Sequence, residues 1–178
     1  MQQSRASIVS LELLLDPHAE ERIRAEWRAL ADAGLSSLAA HRSPSNRPHI
    51  TLLVRPSLPQ LTREQLSEVN PLPLGLTIGN TVLFGTGERR VLARPIVLTE
   101  ELQHFHATLH ALAGAGEDAA HTRPGEWTPH ISLARRIKVD AIPQALRILD
   151  VGEKAASLVQ ATSLRRWDAA SATLTDLL

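Results

Sequence analysis

Two histidines, His49 and His130, each stand two residues before a hydroxyl, Thr51 and Ser132. They sit in near-identical pentapeptides, Pro48-His49-Ile50-Thr51-Leu52 and Pro129-His130-Ile131-Ser132-Leu133, with 81 residues separating His49 from His130. Imidazole titrates near neutrality, so one such ring can act as general base while the other, protonated, acts as general acid. The two hydroxyls can donate hydrogen bonds to non-bridging phosphate oxygens, where charge resides in the transition state. Nothing in this set calls for a metal or another cofactor. A cyclic phosphodiester suits it: water attacks in line while the opposite histidine protonates the departing sugar oxygen.

The motifs need strands to present them. Side chains alternate along a strand, so His49 and Thr51 share one face, and His130 and Ser132 another. Ile50, Leu52, Ile131 and Leu133 then point into a core. The same alternation places Arg55 and Arg136, each six residues after its histidine, on the reactive face. About 20 Å along the strand, they are expected to contact more distant phosphates of a polynucleotide or simply to face solvent. Trp127 falls on the face opposite His130, as a core residue or, alternatively, a base-stacking one. His41 and Arg42, in the polar loop before the first motif, are candidates for the mouth of the cleft.

The remaining elements follow from periodicity and capping signals. Residues 7–15 form an apolar strand. Asp16-Pro17 opens a helix to about Leu35, with Ile23, Trp27, Leu30 and Ala31 at helical spacing. The first motif strand covers 48–55. Thr62 and Gln65 start a short helix, and 72–84 forms a strand interrupted at Gly79. After a turn at Gly85-Thr86-Gly87-Glu88, the order repeats: strand 90–98, helix 99–114, motif strand 127–137, short helix 140–149, strand 156–167. The halves 7–84 and 90–167 thus read as strand–helix–strand–helix–strand. This suggests a duplication with pseudo-two-fold symmetry that sets the histidines across a cleft.

The bulk of the sequence narrows the partners. The chain has 178 residues, 43% of them hydrophobic, which suits one domain or two lobes sharing a core. Nineteen basic and nineteen acidic residues give a net charge of zero, so contact with nucleic acid is expected to be local or end-directed. The absence of cysteine excludes disulfides and thiolate chemistry, and the absence of tyrosine leaves few stacking platforms for a long single strand. No run is long and apolar enough to span a bilayer, and the expected location is the cytoplasm. No obligate protein partner is indicated.

The duplicated His-x-Thr/Ser, with its flanks Arg47-Pro48-His49-Ile50-Thr51-Leu52 and Trp127-Thr128-Pro129-His130-Ile131-Ser132-Leu133, resembles the two-histidine (2H) phosphoesterase superfamily. It looks most like the bacterial RNA 2′,3′-cyclic phosphodiesterase branch, also labelled 2′-5′ RNA ligase. The resemblance implies a single bilobal α+β domain over residues 1–178, with two antiparallel sheets around a cleft, outer helices, and lobes that exchange strands. It implies metal-independent hydrolysis of 2′,3′-cyclic phosphates, on RNA ends or small nucleotides, to 2′-phosphates. By the same analogy His130 activates water, His49 protonates the 3′ leaving oxygen, and Thr51 and Ser132 hold the phosphate.

Three other readings stand beside this one. Reversible 2′-5′ RNA ligation uses the same groups in reverse. A nucleotide- or RNA-end-binding module would keep the fold without turnover. His106 and His110, four apart on a helix, could bind a metal in a different hydrolase, though a solvated helix face is the simpler expectation. Phe84 and Phe105 read as core. Arg89-Arg90 and Arg165-Arg166 read as solvated basic pairs.

Overall fold

The apolar run Val9–Leu15 forms β1, in which every residue is buried, Ser10 and Glu12 included. The Asp16 side chain accepts from Ala19 N–H at 2.9 Å and Pro17 occupies the first turn, so α1 (Pro17–Asp32) starts where the sequence signals it. It stops short of Leu35, because Gly34 turns the chain at φ +72. The structure is a computed structural model that describes residues 8–69, 71–150 and 156–178. Residue 7, the expected start of the first strand, lies outside the described residues.

The motif strands are β2 (His49–Arg55) and β6 (His130–Lys138). The capping box of Thr62 and Gln65 starts α2 (Arg63–Ser67) as expected. The expected strand 72–84 is two strands, β3 (Leu74–Ile78) and β4 (Val82–Phe84), in different sheets. The break falls at Gly79, whose N–H donates to the Pro95 carbonyl at 2.8 Å. A Cβ there would meet Pro95 Cγ at 3.0 Å, a tight contact that glycine avoids where the two segments approach. β5 (Arg89–Pro95) follows the glycine turn, and Thr99 caps α3 (Glu100–Ala113). A 3₁₀ turn at 139–141 leads into α4 (Ile142–Leu149), and β7 (Ser157–Asp168) is followed by β8 (Thr173–Asp176), a strand the sequence did not announce.

The architecture is α+β and bilobal, with two antiparallel sheets. One has the order β2-β1-β7-β3, with β8 also paired to β7; the other is β4-β5-β6. The third strand of each half has crossed over: β7 pairs with β1, and β4 with β5. The helices cross too. Trp27 of α1 donates to the Ser132 carbonyl on β6 at 3.0 Å, while His106 and His110 of α3 each donate through Nε2–H to the Leu52 carbonyl on β2. The sequence halves 7–84 and 90–167 are therefore not the two lobes. Among the described residues, no helix is long and apolar enough to cross a membrane.

Candidate active site

Both motif strands carry a β-bulge at the same place. In the β1–β2 ladder, Leu11 pairs with Leu53 and Glu12 with Thr51, leaving Leu52 unpaired. In the β5–β6 ladder, Leu92 pairs with Ala134 and Ala93 with Ser132, leaving Leu133 unpaired. All of these positions correspond by a shift of 81 residues. A bulge inserts one residue and reverses the alternation beyond it. Leu52 and Leu53 are consecutively buried, and so are Leu133 and Ala134.

That reversal corrects the expectation for the arginines. Arg55 turns inward and is 3% exposed. Its guanidinium meets Asp118 at 2.6 and 3.3 Å and the Ala113 carbonyl at 3.0 Å, so it is a structural cation and not a nucleic-acid contact. Gly116 leaves room for it: a Cβ there would lie 2.8 Å from the guanidinium, which would have to shift from its bonds to Asp118 and Ala113. Arg136 is exposed but lines neither cavity at the motifs. Arg135 takes the place expected of Arg136 and lines both.

Those cavities adjoin the two histidines. One, of about 160 Å³, is lined by Glu12, His41, His49, Arg135, Arg165 and Trp167 among others. The second, of about 380 Å³, includes Phe84, His121, Thr128, His130, Ser132 and Arg135. Arg135 borders both, so the two cavities adjoin at this side chain, with His49 in the wall of one and His130 in the wall of the other. Thr51 lies in register with Glu12 and is half-buried but lines neither cavity. Arg42 is exposed in its loop, while its neighbour His41 reaches the cleft.

The two rings are anchored identically. His49 Nδ1 lies 2.7 Å from the Arg47 carbonyl, and His130 Nδ1 lies 2.8 Å from the Thr128 carbonyl. A carbonyl only accepts, so Nδ1 carries the hydrogen in both rings. Each Nε2 is thereby left to exchange a proton. Burial depresses the proton affinity of His130, and the nearby charges of His121 and His49 depress it further, against the Thr128 carbonyl, which favours protonation. Phe84 packs on the His130 ring with centroids 4.7 Å apart, so it belongs to the wall of the site and not to the core as expected.

His49 has a different neighbour. Its Nε2 lies 3.8 Å from Glu12 Oε1. Glu12 is held by the Ser10 hydroxyl at 2.8 Å and by Arg165 at 2.8 Å. Burial alone would raise the Glu12 carboxyl; His49, Arg165 and Ser10 outweigh it and hold the group below the ordinary carboxylate range. Arg165 is thus a buried ion-pair partner, and the expectation of a solvated surface arginine is corrected.

Behind the site, Trp127 is 8% exposed, which agrees with its reading as a core residue and not with the alternative of base stacking. Its indole donates to the Thr51 carbonyl at 2.9 Å and its ring stacks on His106 at 3.9 Å with 2° between planes. His106 and His110 are buried, and their Nε2 atoms lie 2.9 and 3.1 Å from the Leu52 carbonyl. They face neither solvent, as expected, nor the cleft. Leu52 is the bulged residue, so its carbonyl has no ladder partner, and these two rings satisfy it. Burial, and then the charge of His110, push His106 down to about 4, more than the Leu52 and Thr122 backbone and Asp118 oppose. Among the described residues, no group of three or more His, Asp or Glu side chains could hold a metal ion.

A sequence model of the 2′-5′ RNA ligase superfamily matches residues 15–171, a span that contains both motifs. The chain belongs to this superfamily, the two-histidine phosphoesterases. No curated protein sequence matches it. Among solved structures, Kluyveromyces marxianus Usb1 is similar at 11% identity and a TM-score of 0.46, over 97% of this chain and 98% of that one. The same protein with uridine monophosphate is similar at 10% identity and a TM-score of 0.47, over 96% and 97% of the two chains.

Proposed function

We propose that this protein hydrolyses 2′,3′-cyclic phosphodiesters, on RNA ends or small nucleotides, to 2′-phosphates. The observation that supports this reading is the matched anchoring of His49 and His130, which leaves both Nε2 atoms for proton transfer in cavities that adjoin at Arg135. In the proposed step, neutral His130 takes a proton from water through Nε2 as the oxygen attacks phosphorus. The bond from phosphorus to the 3′ oxygen breaks, and protonated His49 delivers its Nε2 proton to that oxygen. Ser132 and Arg135, which line the cavity at His130, hold the non-bridging oxygens, joined by Thr51 two residues from His49 on β2, which lines neither cavity. The products are a 2′-phosphate and a free 3′ hydroxyl, and the two rings regain their starting protonation by exchange with water.

The reverse step would join an RNA end through a 2′-5′ linkage, a reading favoured by the superfamily to which the chain belongs. Hydrolysis is the direction that excess water drives.

The test is turnover of a 2′,3′-cyclic nucleotide and of a cyclic-phosphate-ended oligonucleotide in excess chelator across pH 5 to 9. The expected outcome is full activity in chelator with a bell-shaped pH dependence. Inertness toward both substrates, or a flat profile, sinks the reading. The bulge adds a contrast within one strand. Arg135→Ala is expected to lower kcat/KM by about ten- to a hundredfold, by removing a donor to the phosphate, while Arg136→Ala stays within about twofold. Equal effects from both would mean that the parity shift does not set the reactive face.

A further inference from the structure

The two motifs are equivalent in sequence and in anchoring, yet a base and an acid must differ. The register shows where the symmetry breaks. The residue opposite Thr51 is Glu12, and the residue opposite Ser132 is Ala93, its counterpart after the same 81-residue shift. Glu12 is 6% exposed inside a strand of apolar neighbours, a position where an unpaired carboxyl is costly. Among the described residues lining the two cavities it is the one carboxylate; the other charged or titratable side chains there are Arg135, Arg165, His41, His121 and the two motif histidines.

From this, the geometry points to Glu12 as the positioning residue that makes His49 the proton donor and leaves His130 the base. The inference rests on the acid–base reading above. His49 Nδ1 is tied to the Arg47 carbonyl, so the second proton of this ring enters at Nε2, 3.8 Å from Glu12 Oε1. A carboxylate at that distance favours the imidazolium. Arg165 takes the other oxygen at 2.8 Å, and Ser10 donates to Oε1 at 2.8 Å, so the carboxylate stays ionised and fixed. At 3.8 Å it is longer than a hydrogen bond, so Nε2–H remains able to turn to a leaving oxygen. The other charged or titratable side chains of this cavity are Arg135, Arg165 and His41, and Asp176 stands opposite Arg165 on β8. His130 sees His49 and His121 and has Ala93 where a carboxylate would stand.

The test compares the wild type with Glu12→Gln, which keeps the shape and removes the charge. The His49 and His130 ring resonances are titrated by NMR, and kcat is measured against pH. The expected result is that the His49 transition moves to lower pH by about one unit, the high-pH limb of the kcat profile moves with it, and His130 stays in place. A His49 transition unmoved by the substitution overturns the inference. Should the unpaired Arg165 prevent folding, Glu12→Gln combined with Arg165→Gln removes both charges and is read against Arg165→Gln alone. The titration needs no turnover, so it separates the two claims. A shifted His49 in a protein inert toward cyclic phosphates overturns the hydrolase reading and keeps the charge contact. An unshifted His49 in an active enzyme overturns the role of Glu12 alone.

Discussion

Alanine at either His49 or His130 is expected to lower kcat/KM for a 2′,3′-cyclic phosphodiester by about a thousandfold, with the fold intact. Removing a general acid or base costs on the order of 10²–10⁴ in rate. Here both act in one displacement, so each loss stalls the same step. The double variant is therefore expected to be about as slow as either single one, because groups that act as a unit are not additive. Neither ring carries the core: both are only half-buried, and the buried residues behind them are Ile50, Leu52, Ile131 and Leu133. Thermal unfolding of the variants close to that of the wild type would confirm that the loss is chemical. Retention of even a tenth of the wild-type rate in His49→Ala or His130→Ala would remove that ring from the mechanism.

The second large effect is on stability and lies behind the site. Buried His106 is held neutral, its ring pushed down to about 4 by burial and by His110. The unfolded chain binds its proton near pH 6.5. Above that pH neither state is protonated and the ring costs nothing. As pH falls from about 6.5 toward 4, the unfolded state takes up a proton that the folded state refuses, so stability drops, by about 3 kcal/mol over the window. The depressed affinity of His130 acts in the same direction. The carboxylates held below their ordinary range, Glu12, Glu20 and Asp118, lose their contribution only at lower pH. The interval between about pH 6.5 and 5 therefore belongs mainly to the histidines. Denaturant unfolding at pH 8, 6 and 5 is expected to show this fall, and His106→Gln, whose amide can still donate to the Leu52 carbonyl, is expected to flatten it. Identical slopes for the two proteins would exclude His106 as the source.

The chemistry-bearing residues were legible in the sequence because the duplicated pentapeptide is local. Type and spacing alone name His49, Thr51, His130 and Ser132, and the apolar residues between them explain the strand. The caps at Asp16, Thr62 and Thr99 were equally local, and their helices start where those residues stand. What failed was whatever depends on a partner strand. Strict alternation placed Arg55 and Arg136 in the cleft, and the bulges at Leu52 and Leu133 replaced them with Arg135. A bulge is a property of the ladder, set here by β1 and β5, so a single strand does not display it. A partial signal existed all the same: Leu52-Leu53-Val54 and Leu133-Ala134 interrupt the alternation with which each motif begins. Glu12 was a polar letter in an apolar run whose meaning needed Arg165, 153 residues away. His106 and His110 looked solvated because the helix they occupy covers the other half's strand, an exchange that no helical pattern reveals.

In the proposed mechanism two imidazoles share the proton work of one displacement at phosphorus. The most direct measurement is ³¹P NMR of a 2′,3′-cyclic nucleotide incubated with the protein in excess chelator, beside His49→Ala and His130→Ala. The account predicts loss of the cyclic phosphate signal and growth of the 2′-monophosphate signal alone with the wild-type protein, and an unchanged spectrum with each variant over the same time. A 3′-monophosphate product, no reaction with the wild type, or equal turnover by either variant would contradict it.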